Sequence, residues 1–338
     1  MSRDTYQLEV VLRSSDHESP DSLAAMAGHA EQRGFETVSM GETTGWNVVP
    51  VLAVVAERTE TITIADDVLS PYSRAPTVLA QTALTMHDVT DGRFRLGLGT
   101  SSPALAEDWH CESFDRPLRR LRETIDIIRQ VYDGDSLSYH GEIFDVDGLA
   151  YDRPVPDDPP PIDVAALGPK STELAGRFAD GWVPQLFTPS GLDERLEDCE
   201  RGAKLGDRTL DDVRVAPLVR CCTHEDPEQA RTLARQTVAF LIGAYGPYYG
   251  QSIARQGYEE TVEALQAAWE DRDTERMAAS LPDELLDSVA AAGTPEAVRA
   301  TVREFAELDD VDAVRVGFVA GMSDADKHRT LDALEPLT

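Results

Sequence analysis

Lysine is almost missing from this chain. Of 31 basic residues only Lys170, Lys204 and Lys327 are lysine and the rest are arginine, against 62 acids, for a formal net charge of −31. A surface so acidic repels a phosphate backbone, which argues against nucleic acid as a partner. The four cysteines, Cys111, Cys199, Cys221 and Cys222, form no C-x-x-C pair, and two are adjacent. That spacing suits neither a disulfide framework nor a zinc site, so they are expected to be small core residues in a reducing compartment. The 7 histidines are scattered, no H-E-x-x-H occurs, and no metal is implied. No apolar run reaches the roughly 18 residues needed to span a bilayer. The opening MSRDTYQLEV has no apolar signal core either. A soluble, cytoplasmic protein with no membrane partner is the expectation.

An acid excess of this size repels itself at low ionic strength, and the Debye length falls to about 3 Å near 1 M salt, where the repulsion is largely screened. Acid-rich, lysine-poor composition resembles that of proteins from salt-in halophiles. The melting temperature is therefore expected to rise between low and molar KCl; an unchanged value contradicts this halophilic reading.

What is present is an alternation. Apolar segments of strand length fall at Tyr6 to Leu12, Thr37 to Met40, Thr61 to Ala65, Phe94 to Leu98, Pro161 to Leu167, Gly181 to Leu186, Val213 to Cys222 and Ala313 to Val319. Helical patterns lie between them, among them "DSLAAMAGHAEQRGF", "TVLAQTALTMHDVTDG" and "RPLRRLRETIDIIRQVYDG", with glycine stops, and a closing helix falls near Asp324 to Leu334. Strand and helix in turn argue for parallel β/α units, and eight of them fit a (β/α)8 TIM barrel better than an open sheet. The expected fold class is thus α/β, a single domain over 1–338. It carries a hairpin and proline-rich insertion after strand 4 (136–160) and a helical insertion after strand 7 (223–293), both at the catalytic face or its rim.

Two short stretches carry candidate chemistry. Gly97-Leu98-Gly99-Thr100-Ser101-Ser102 comes near a dinucleotide-binding loop, but Ser102 replaces the third glycine, Pro103 follows, and a helix precedes any new strand. Two readings remain: a tight strand end, or glycines that let a flat ligand approach the backbone. In "AALGPKSTELAG" a strand end, a glycine turn and a helix start offer amide donors to an anion, or an ordinary capped turn.

Together, "AEQRGFETVSMGE", "RAPTVLAQTALTMHDVTDGRFRLGLGTS", "FDRPLRRLRETIDIIRQVYDGD", "GEIFDVDG" and "PPIDVAALGPKSTELAGRFADGWV" resemble the bacterial-luciferase-like superfamily. The resemblance runs from Tyr6 to about Pro189 and resumes at "GTPEAVRATVREF". It implies a (β/α)8 barrel that uses FMN or the deazaflavin coenzyme F420, and it is nearest the F420-dependent branch of reductases and dehydrogenases. That branch implies a non-prolyl cis peptide backing the deazaflavin ring, here at Asp67-Val68. It also implies cofactor contacts at Gly99, Thr100 and Ser102 and a phosphate held around Leu167, Gly168, Pro169 and Lys170.

Two departures from the branch stand out. In "GETTGW", Glu42 takes the position of a dehydrogenase histidine and Trp46 that of a tryptophan beside the reacting carbon. A half-buried carboxylate at Glu42 is either a general acid or base with a raised pKa, or a structural carboxylate hydrogen-bonded at the barrel mouth, and Trp46 is either wall or contact. Ser102 stands where the sugar-phosphate dehydrogenase has a catalytic glutamate, and the lysine that receives a sugar phosphate has no counterpart in "QLFTPSG", which argues against a phosphosugar. The resemblance thus implies an F420-dependent oxidoreductase of a small organic substrate. The alternatives are an FMN-dependent monooxygenase and a barrel that only binds a ligand. A homodimer through the helices after strands 1 to 3 is implied as well.

Overall fold

The computed structural model describes residues 5–338. Short, apolar segments buried on both faces favour parallel pairing; in Gln7–Leu12 every residue after the first is buried. In chain order the strands are β1 (Gln7–Leu12), β2 (Thr37–Met40), β3 (Thr63–Asp66), β4 (Phe94–Gly99), β5 (Ser138–His140), β6 (Asp145–Asp147), β7 (Ile162–Ala165), β8 (Gly181–Trp182), β9 (Arg214–Val215), β10 (Leu218–Thr223), β11 (Ala290–Gly293) and β12 (Ala313–Phe318). Ten of them make one curled parallel sheet in the order β11-β10-β12-β1-β2-β3-β4-β7-β8-β9, while β5 and β6 pair as a separate hairpin. Beyond β8, a bridge from Gln185 to Leu218 brings that end of the sheet back to β10.

Proline opens helix after helix between these strands, at Pro20, Pro76, Pro117, Pro169, Pro189, Pro227 and Pro295. Its fixed φ suits the first helical turn, where its missing N–H is not needed. The 136–160 excursion is anchored from below. The buried Glu123 carboxylate accepts the N–H groups of Glu142, Ile143 and Phe144 at 2.9, 3.0 and 3.0 Å. Burial opposes its charge, but these donors outweigh that and hold its carboxyl below the usual range.

Three expectations need correction. The segment Val213 to Cys222 is two strands, because Ala216-Pro217 interrupts it and Pro217 has no N–H to extend a ladder. The 223–293 insertion ends in a strand, β11, which pairs with β10; its sequence AAAG carries no β-branched signal. Of the cysteines, Cys199, Cys221 and Cys222 are buried but Cys111 is exposed.

Side chains alternate along each strand, and the inner set is not wholly apolar. Leu8, Val10 and Leu12 are buried with Glu9 between them. Glu9 pairs with Arg214, and Arg95 grips Asp163 through two bonds of 2.8 and 2.6 Å. Beside these pairs Val183, Ala216 and Ala313 form a small apolar cluster, with Val68 and Ala165 packed against it. Charged pairs and an apolar floor therefore share the interior of the curled sheet.

Candidate active site

The floor owes its shape to the chain after β3. Asp66, fully buried, accepts the N–H of Leu69 at 2.9 Å and of Gly97 at 3.1 Å. Burial pushes its carboxyl well above the usual range. The next peptide, Asp67-Val68, is cis, as the resemblance implies. The Asp67 carboxylate turns inward to pair with Arg315, and Val68 is left to pack on the apolar cluster.

Glycine makes room for this bulge on both sides. A Cβ at Gly41 would sit 2.5 Å from the Asp67 carbonyl oxygen, and one at Gly99 would sit 2.6 Å from Val68 Cγ2. At Gly97 a Cβ would run into the Asp66 carbonyl oxygen. Of the two readings of the glycine loop, this packing accounts for the glycines as a tight strand end. Gly97 and Gly99 accommodate the bulge, and Val68 occupies what they leave free.

The rest of that loop is local structure. Ser101 is left-handed, at φ 65°. Ser102 caps the turn Ala104–Trp109 by accepting the Leu105 N–H at 3.3 Å through its hydroxyl, and its carbonyl takes the Ala106 N–H at 3.0 Å. Thr100, just before them, is partly exposed.

Following β7, Leu167 and Gly168 lead into the helix Pro169–Phe178, with Gly168 as its N-cap. The Ser171 hydroxyl accepts the Gly168 N–H at 3.1 Å and donates to the Gly168 carbonyl at 2.9 Å. The first helical bond is Thr172 N–H to Gly168 at 3.0 Å. The amides of Lys170 and Ser171 thus precede the helical ladder, at the positive end of the helix dipole. Thr172 Oγ1 is buried here without a partner, and Lys170 is exposed.

Glu42 does not have the raised pKa of the acid–base reading. Arg74 clamps it through two bonds of 2.6 and 2.8 Å, and the Val48 N–H donates at 3.0 Å. Burial opposes its charge, but Arg74, this amide and nearby His110 outweigh that and hold its carboxyl below the usual range. The carboxylate fastens loop 42–48 and so seats Trp46, which packs partly buried against the main core. Glu42→Gln is expected to lower stability by about 1 to 3 kcal/mol, since a charged hydrogen-bond pair is lost. The pH profile of turnover near neutrality should stay unchanged; an ionisation that vanishes in the variant would restore the acid–base role.

The sequence reading missed three residues at the same end of the sheet. Gln185 follows β8 and donates its amide to the Tyr249 hydroxyl at 2.6 Å. Arg220 of β10 reaches Gln185 Oε1 at 3.2 Å. The available signal was an arginine inside the apolar run LVRCCT.

This geometry belongs to a known class. The model of the luciferase-like monooxygenase family matches residues 5–310, and the chain belongs to that family. It is an oxidoreductase, like the relatives it matches. One of these, a Mycobacterium tuberculosis protein provisionally named a coenzyme F420-dependent oxidoreductase, is 30% identical over 302 residues, covering 83% of this chain and 86% of the relative. The 5,10-methylenetetrahydromethanopterin reductase of Archaeoglobus fulgidus is 29% identical over 285 residues, 82% of this chain and 84% of that protein. Among solved structures, the coenzyme F420-dependent tetrahydromethanopterin reductase of Methanopyrus kandleri superposes with a TM-score of 0.83 at 22% identity, covering 99% of this chain and 98% of the other.

Proposed function

We propose that the chain is an F420-dependent oxidoreductase acting on a small organic substrate at the carboxyl end of its sheet. The supporting observation is the bulge itself: Asp67-Val68, flanked by Gly41, Gly97 and Gly99, presents Val68 over an apolar floor. On this reading the sheet is a (β/α)8 barrel in which β9 and β10 together form the seventh strand, the chain is one domain, and 136–160 and 223–293 are its insertions.

The residues present fit a flat ring with an anionic tail. Val68 and Ala165 offer an apolar bed, Asp67 holds the bulge to Arg315, and Gly99 and Thr100 pass beside it. Gly168 and Pro169 turn the chain so that the Lys170 and Ser171 amides can take a phosphate, with Ser102 and Leu167 bordering the path. When bound, the deazaflavin supplies two-electron hydride chemistry. The protein's part is placement and exclusion of water: Val68 sets one face, and Trp46, seated by the Glu42–Arg74 pair, walls the reacting side. A homodimer through Pro20–Gln32, Val48–Ala56 and Pro76–Thr90 belongs to the same proposal.

The test is a titration of the purified protein with F420 and, separately, with FMN, followed by fluorescence. Saturable binding that is tighter for F420 is expected. Tighter binding of FMN would overturn the cofactor assignment in favour of a flavin monooxygenase.

A further inference from the structure

The interior arginines Arg95, Arg214 and Arg315 each have a carboxylate partner. Arg220 has none among the described residues. The residue is 8% exposed, and it donates only to neutral acceptors, the Gln185 side-chain oxygen at 3.2 Å and the Phe318 carbonyl at 3.4 Å. Its Nε is buried with no partner at all. A guanidinium has five N–H donors, and a buried cation is ordinarily paired. Burial lowers its pKa only to about 10, so it keeps its charge at neutral pH.

The surroundings are shaped for this side chain. Across the sheet in register lies Gly317, where a Cβ would come within 2.9 Å of Arg220 Nη1. Gln185 is oriented by its bond to Tyr249, which leaves its oxygen facing the guanidinium. The charged groups nearest Arg220 are already engaged: Asp67 with Arg315, and Arg13 with Asp16 at 2.9 Å. The cation therefore lies within reach of the field of Asp67 in the bulge, at the redox site proposed above, with no carboxylate of its own to pair with.

We infer that Arg220, oriented by Gln185 and Tyr249, receives an anionic group of the substrate, and that this group is a carboxylate. The choice of carboxylate follows from the charge balance: one free guanidinium matches one negative charge in a two-pronged geometry. A phosphomonoester would bring nearly two charges, and the neighbouring cations are already paired. The inference rests on the reading of this end of the sheet as the substrate pocket, but not on the identity of the cofactor.

The probe is carboxyl-13C acetate, with methyl phosphate for comparison, titrated by NMR at constant ionic strength into the protein with and without F420. Saturable acetate binding, tighter than that of methyl phosphate, is expected in the wild type. Arg220→Lys, which keeps the charge but loses the fork, should weaken it roughly tenfold or more, and Arg220→Met should abolish it. Removing an unpaired buried cation also predicts that R220M melts no lower than wild type, whereas a structural arginine would lower the melting temperature. Acetate binding equal in wild type and R220M, or absent from the wild type in both forms, overturns the inference. Failure of F420 to bind bears on the cofactor alone, because the cofactor-free titration still decides the role of Arg220.

Discussion

Gly97→Ala is expected to destabilise the protein by about 3 kcal/mol or more, the upper end of what overpacking costs. The new methyl group would meet the Asp66 carbonyl oxygen, which is backbone and cannot rotate away. The same backbone leads into the cis link, and Gly97 also donates its N–H to the Asp66 carboxylate at 3.1 Å. Relief would have to come from moving the bulge, so loss of stability and loss of cofactor affinity should appear together. Gly99→Ala is the control. Its Cβ would press on the Val68 side chain, 2.6 Å away, which can shift. There the fold should survive while the bed for the ring is disturbed. Chemical denaturation of both variants checks this, and a Gly97→Ala protein within about 0.5 kcal/mol of wild type, as at an ordinary surface site, contradicts the packing described.

Breaking the interior pair Arg95–Asp163 is expected to cost about 3 to 5 kcal/mol, the usual penalty for stranding one buried charge. In Arg95→Met, the one salt-bridge contact left to Asp163 is the more distant Arg214, at 3.9 Å. The double variant R95M/D163L removes both charges and should be more stable than the sum of the single losses predicts. Acidity should act on the same group. Burial raises the Asp163 pKa, but Arg95, Arg214 and Arg315 more than offset this and leave it below the usual range. A carboxyl with a depressed folded pKa stabilises fully above its unfolded pKa, and the contribution fades as pH falls through the folded value. Wild type should therefore lose stability in acid more steeply than R95M/D163L. Strictly additive single-variant costs, or equal acid slopes, would contradict the pairing.

Much of the architecture is legible in the sequence because its signals are local. The alternation of strand-length and helix-length segments, and proline at helix starts, each lie within a dozen or so residues. Asp324–Leu334 forms where its pattern places it. What escapes are interactions between distant segments. The partner of Glu42 is Arg74, on the far side of β3, so the sequence left an acid–base group and a structural carboxylate both open where the structure has a clamped anion. Asp67 and Arg315 lie at opposite ends of the chain. Nothing near Gly97 or Gly99 shows that the space beside them belongs to Val68. The interior charges did leave a trace, since Glu9, Arg95, Asp163, Arg220 and Arg315 each interrupt an apolar strand. A charge in a strand buried on both faces needs an interior partner or a ligand.

The most direct test is a crystal structure of the protein with F420. The ring should lie flat against Val68 at the cis Asp67-Val68 link, with the tail phosphate on the amides of Lys170 and Ser171. A ring bound elsewhere, or no room for it above Val68, would contradict the account.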